Sequence, residues 1–372
     1  MVRPERLIKL TRKLIKINSE NPPGNEREIA VFVRDHLRRL GVAVKTYEFK
    51  ESRTNVIGLI KGVKAKKELL ISPHLDTVPA GKNWHLAPFS GTIKNGRIYG
   101  RGASDCKGNL AASLECINSI IEDKVRLNYN LVFAATADEE CGSGLGLIPL
   151  LDKNILKPDY SLILDADEMD IIVAQKGLIH MKVLIQGKKA HGAYPWRGEN
   201  AIDLALKAIG EIKKEKGRYT AHEFLRPPTI NVGTIHGGDK VNMVADWCEF
   251  ELDIRFLPGT RARQVLAGVK KNIRRCARKF KIEVQDIQKP CEIDKKHVLV
   301  DRLSGAIRSC GMHPRIKGSE GATVITFFQN KGIPAIAYGV GSRNTAHASD
   351  EYIDIGNLYL GTRILEKFLK TF

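Results

Sequence analysis

No stretch of this chain approaches the roughly 20 uninterrupted apolar residues of a membrane-spanning helix. From Met1 to Lys16 charges recur every few positions, so the apolar centre of a secretory signal is missing. The seven cysteines are scattered, odd in number and without a Cys-x-x-Cys pair. That excludes a disulfide framework and leads us to expect a reducing, cytoplasmic setting. Aromatic residues make up only 6% of the sequence, and no zinc-finger or RNA-recognition signature occurs, which argues against nucleic acid despite a formal net charge of +18. The basic residues sit where helices face solvent, as with Arg12, Lys13 and Lys16 or Lys270, Lys271 and Arg274. A solvated cationic surface that attracts small anionic molecules is therefore expected, with neither nucleic acid nor membrane as partner.

What is present is a chain of 372 residues, 43% hydrophobic, long enough for one large core or two ordinary ones. Leu7, Leu10, Leu14 and Ile17 recur at helical spacing, and Ser19–Gly24 (SENPPG) breaks that helix. A second helix is expected from an Asn25 cap to Leu40, with Gly41 as its stop. Strands and helices then alternate to Leu164, with a hairpin signal at Asn95–Gly96, as in an α/β domain built on a mostly parallel sheet. From about Leu178 the order becomes β-α-β-β-α-β, the split βαβ (ferredoxin-like) arrangement. Helix–strand alternation resumes after Lys289–Pro290. The expectation is a discontinuous domain over 1–177 and 290–372 with an inserted domain over 178–289.

Acidic and histidine residues collect at the ends of the expected strands of the larger domain: His74 and Asp76, Asp138–Glu140, Asp165–Glu168, and His347 with Asp350 and Glu351. Asp105 lies in a glycine-dense approach to a helix, where the simplest reading is an N-cap. Each is unremarkable alone, because a lone strand-end histidine or an acidic loop is usually structural. Together they are the residue types that hold divalent metal, at the edge of an α/β sheet where sites gather.

The order of HLDTVP, YGRGASDCKG, DEE, AHGAYPWRGENAI, DIR and a final His-Ala-Ser-Asp-Glu resembles a known family. It is that of acetylornithine deacetylase, succinyl-diaminopimelate desuccinylase, aminoacylase and carboxypeptidase G, co-catalytic zinc hydrolases with an inserted dimerisation or lid domain. The resemblance implies two Zn²⁺ ions, replaceable by Co²⁺ or Mn²⁺. His74 and Asp165 would hold one, Glu140 and His347 the other, and Asp105 would bridge them. Asp167 is the alternative to Asp165, chosen against by counting back from Lys176-Gly177. Asp76 would orient His74, Glu139 would be the general base, and His191 would reach the oxyanion from a partner subunit. Arg255, Asn242 and Gly321 are the candidates for substrate contact, although Arg255 equally suits a surface strand position. The implied reaction is hydrolysis of a small anionic N-acyl amino acid, of the N-succinyl-diaminopimelate or N-acetylornithine type, by a homodimer. The alternatives are a di- or tripeptidase or carboxypeptidase of the same family and, more remotely, a non-catalytic binding protein on the same fold.

Overall fold

The computed structural model describes residues 1–214 and 219–372. Two compact units divide them. One comprises Met1–Val173, Ile293–Lys317 and Thr323–Phe372; the other comprises Ala174–Glu292 with Gly318–Ala322. Residues 318–322, expected in the larger domain, thus group with the second unit. The Lys176 amide donates to the Ser319 carbonyl at 3.2 Å. Gly318 lies so close to Phe224 and Leu225 that a Cβ there would meet Leu225 at 2.5 Å.

The first unit is built on a mixed sheet whose centre is parallel. Strands Asn130–Ala135, Glu68–Ser72, Tyr160–Leu164 and Ala335–Tyr338 lie side by side in that order and run the same way. They are short apolar runs with every inner residue buried, as expected for strands covered on both faces. Antiparallel strands flank them: Thr54–Ile60 and Ala43–Glu48 on one side, Ile171–Gln175 on the other. The flanking strands Ala43–Glu48 and Ile171–Gln175 went unread in the sequence, because Ala43–Glu48 is half polar and largely exposed. Ile171–Gln175 follows an acidic loop with no turn signal between them. Helix Gly108–Glu122 is buried along almost its whole length and packs on the final helix Ile355–Thr371. The hairpin forms where expected, Thr92–Lys94 with Arg97–Tyr99, and Asn95 and Gly96 both take positive φ. Helix Pro4–Ile15 carries the first apolar stripe, and Arg27–Arg39 the second. Asn25 does not cap the second helix; Glu26 precedes it and makes no side-chain cap.

The second unit has the expected β-α-β-β-α-β order. Its antiparallel sheet runs Thr229–Gly237, Trp247–Phe256, Gly177–Gln186, Lys279–Gln288. Alternate residues Ile179, Met181, Val183 and Ile185 face helices Ala201–Lys214 and Ala262–Cys276, meeting Ala205 and Ile273 in a closed core. This period-two burial is what makes a one-sided sheet legible in sequence. Among the described residues no helix is long and apolar enough to cross a membrane.

Candidate metal centre

The parallel strands set the position of each acidic or histidine side chain. His74 lies just beyond Glu68–Ser72, and its neighbour Leu75 donates its amide to the Thr136 carbonyl at 2.8 Å. That pins the His74 loop beside the loop that carries Asp138, Glu139 and Glu140. Asp165 directly follows Tyr160–Leu164, with its amide on the Tyr338 carbonyl at 3.1 Å. Gly339 makes this close approach feasible, because a Cβ there would meet the Ala166 carbonyl at 1.9 Å. Asp105 is not an N-cap. Its backbone is extended (φ −121°, ψ 92°) within the turn that precedes helix Gly108–Glu122, and its carboxylate is free to face inward.

Two groups of donor atoms result: His74, Asp105 and Asp165, and Asp105, Glu140 and His347, each within 4.8 Å. Asp105 is common to both. One of its oxygens lies 2.9 Å from His74 Nε2 and the other 3.2 Å from His347 Nε2. Glu140 Oε2 is also 3.2 Å from His347 Nε2, while its buried Oε1 has no hydrogen-bond partner. Asp167 belongs to neither group; its carboxylate lies against Gly341. The Nδ1 of His74 is 3.0 Å from the main-chain oxygen of Asp76, and that contact orients the ring. The Asp76 carboxylate lies 3.6 Å from the same Nδ1 and accepts the amides of Glu139 (3.0 Å) and Glu140 (3.1 Å). Buried Cys106 sits under His74, its Sγ 3.3 Å from the Leu164 carbonyl and outside both groups.

Crowding and burial set the electrostatics. Burial pushes the Asp165 carboxyl up to about 7 and Asp167 up to about 6, with the Asp105 charge adding to both. Burial also drives Glu139 well above the carboxylate range, reinforced by Asp165, Glu140 and Asp105 and opposed by His74. Hydrogen bonds to Asp105 and then Glu140 push His347 up to about 10. At Asp105, burial is outweighed by His347 and His74, and its carboxyl is held below the usual range. So many carboxylates in one partly desolvated pocket call for positive charge beyond two imidazoles. The donor set of imidazole and carboxylate, the doubly used Asp105 and the orphaned Glu140 oxygen all fit a pair of divalent metal ions.

The second unit carries the remaining sequence-selected residues. His191 is exposed, with Nδ1 accepting from the Ala193 amide at 3.0 Å. Its loop is joined to that of Asn242, whose carbonyl accepts from Gly192 at 2.8 Å. Two Arg255 nitrogens already engage the Asp253 carboxylate, at 2.7 and 2.9 Å. Gly321 accepts from the Ser319 hydroxyl beside Glu320, which pairs with buried Lys176.

The sequence signature described as peptidase family M20/M25/M40 matches residues 70–371. The chain belongs to that family. Solved structures with the same fold include a tripeptidase from Staphylococcus aureus, 25% identical over 100% of this chain and 98% of that one, with a TM-score of 0.83. Aminopeptidase PepT from Bacillus cereus is 23% identical over 99% and 98%, TM-score 0.83. The M20 family metallo-carboxypeptidase Sso-CP2 from Sulfolobus solfataricus is 24% identical over 98% of each chain, TM-score 0.82. The M20 chain is therefore placed among metallohydrolases at the level of the family, without the deacylase branch being singled out.

Several buried groups around this M20 site escaped the sequence reading. Glu351 accepts the amides of Gly102, Ser104 and Asp105 and pairs with Arg101 at 2.7 Å. It fixes the backbone that aims Asp105. Lys107 is fully buried, donates to the Ile17 carbonyl at 2.6 Å, and is pushed down to about 7 by burial. Charged residues inside otherwise apolar or glycine-rich stretches were the available signal, but nothing local says which partner each one meets.

Proposed function

We propose that this M20 member binds two zinc ions, replaceable by cobalt or manganese, and hydrolyses an amide bond in a short peptide. The observation that carries the reading is the shared Asp105, one carboxylate oxygen turned to each histidine, with His74 and Asp165 completing one set and Glu140 and His347 the other. Three ligand carboxylates leave two divalent ions one positive charge in excess, a suitable environment for an ionised water. Ions held in this way supply Lewis acidity to the scissile carbonyl and acidify water towards neutral pH.

The chain's own residues do the rest. Glu139, between Asp76-anchored backbone and the Asp105–Asp165 side of the pocket, takes the proton of the attacking water and returns it to the leaving amine. Asp76 holds the amides of both glutamates; Glu140, grouped with Asp105 and His347, would hold an ion, and Glu139, outside both groups, would face the reacting water. His191, contributed by a second copy in a homodimer formed through the inserted unit, is assigned the oxyanion. Arg255, Asn242 and Gly321 are assigned to the substrate's carboxylate and backbone.

Full-length likeness to a tripeptidase supports peptides as substrate. The N-acyl amino acids suggested by the sequence motifs contain the same bond and form the second arm of the test. Elemental analysis of protein purified without chelator should give about two metals per chain. Amine release should be fastest from di- or tripeptides in a panel with N-acetylornithine and N-succinyl-diaminopimelate. A metal ratio near zero, with no activity on adding zinc, cobalt or manganese, would leave only a binding role for the fold.

A further inference from the structure

The segment Ser19–Gly24, which in sequence only interrupts a helix, reaches the loops that carry the candidate metal ligands: the Ser19 hydroxyl donates to the Leu75 carbonyl at 2.7 Å. Asn21 is buried, and its Nδ2 donates to Asp76 at 2.8 Å and to Asp138 at 3.2 Å. Glu26, fully buried, accepts Arg53 Nε at 2.7 Å and Nη2 at 2.8 Å, and also the Asp138 amide at 3.2 Å. The same Arg53 Nη2 donates to Asp138 Oδ1 at 2.7 Å. Gly24 is required by this packing: its φ is +81°, and a Cβ would lie 2.4 Å from the guanidinium carbon.

Asp138 is the residue on which these bonds converge. It holds a positive φ of 66°, unusual for a residue with a side chain, immediately before Glu139 and Glu140. Its second oxygen accepts the Leu145 amide at 2.9 Å, closing the loop that leaves the site. Asp76, braced by Asn21, takes the amides of Glu139 and Glu140 from the other side.

We propose that Arg53 is a positioning residue for the Glu139–Glu140 pair. It clamps Asp138 in its left-handed conformation against Glu26, while Asn21 ties Asp138 to Asp76. This inference rests on the two-metal reading above. Arg53 touches neither substrate nor metal; it fixes the direction in which two consecutive carboxylates leave the backbone.

The test compares wild type with Arg53→Gln, Arg53→Lys and Asn21→Leu. Zinc affinity is read by competition with a chromophoric chelator, and kcat and KM on whichever amide the wild type turns over. Arg53→Gln should weaken one of the two zincs by about 10–100-fold and lower kcat by a similar factor, with KM changed far less. Arg53→Lys should recover only part of the loss, because an ammonium cannot bridge two carboxylates as a guanidinium fork does. Asn21→Leu leaves no charge unpaired and should show a smaller loss in the same direction, which keeps the test open if Arg53→Gln does not fold. Normal zinc affinity and kcat in folded variants would overturn the inference alone. A wild type that takes up no metal would overturn the two-metal reading and this inference with it.

Discussion

Replacing Glu351 by Gln should damage the molecule more than its distance from the chemistry suggests. Glu351 is 1% exposed and Arg101 is 2% exposed. One carboxylate oxygen accepts Ser104 (2.9 Å) and Asp105 (3.0 Å), and the other accepts Gly102 (3.0 Å) and Arg101 (2.7 Å). A glutamine amide puts an NH₂ group where one of those oxygens stood. Two donors then face a donor, and the Arg101 charge loses its counter-charge in a dry site. Breaking a buried pair from one side costs about 3–5 kcal/mol. For a unit of this size that is a fall in Tm of roughly 6–20 °C. The Asp105 amide is among those released, so metal affinity should also fall by about 10–100-fold. Calorimetry of the metal-free protein reads the first effect, and chelator competition the second. Combining Arg101→Met with Glu351→Gln should cost less than the sum of the two, by about 1–3 kcal/mol, because neither charge is then left alone. A Glu351→Gln protein within about 0.5 kcal/mol of wild type, with unchanged metal affinity, would refute the reasoning.

Other outcomes follow from the same geometry. Glu139→Gln should keep both metals and lose turnover by about 10²–10⁴-fold, while Glu140→Gln should lose one metal; the opposite pattern would exchange their roles. Gly339→Ala must push a Cβ into the Ala166 carbonyl, so it should lower stability and disturb metal binding through Asp165; unchanged metal uptake and Tm would contradict that. At Glu366, burial is outweighed by hydrogen bonds from Lys370 and Ser119, so its carboxyl is held below the usual range. A depressed carboxylate contributes stability above its unfolded pKa, and that contribution disappears as pH falls through the folded value. The stability gap between wild type and Glu366→Gln should therefore shrink as pH falls below the ordinary glutamate range; a constant gap would count against the ion pair. Mixing inactive His191→Ala and Glu139→Gln subunits should restore activity if His191 acts in trans, and verified exchange without recovery would exclude it.

By itself the sequence determined the layered architecture and the residue types at the site. Apolar runs of strand length at Leu69–Ile71, Leu131–Ala135 and Leu162–Leu164, separated by helical patterns, require a covered, largely parallel centre. Period-two burial in Ile179–Ile185 likewise exposes the inserted unit. Both signals are local, because the period of an apolar pattern reflects the geometry of its own element. Tertiary structure decided what depends on direction and partner. Asp165 and Asp167 stand two residues apart on the same loop; counting back from Lys176-Gly177 favours Asp165, but only the folded chain displays Asp165, and not Asp167, grouped with His74 and Asp105. Taken locally, Asp105 reads as a helix cap and only the family resemblance makes it a bridge; the fold places its carboxylate between two histidines. Arg53 and Asp138 are 85 residues apart, and Arg101 and Glu351 are 250 apart. Such pairs leave no local trace, because a buried charge is specified by the partner that neutralises it, and that partner is supplied only when the sheet brings distant segments together.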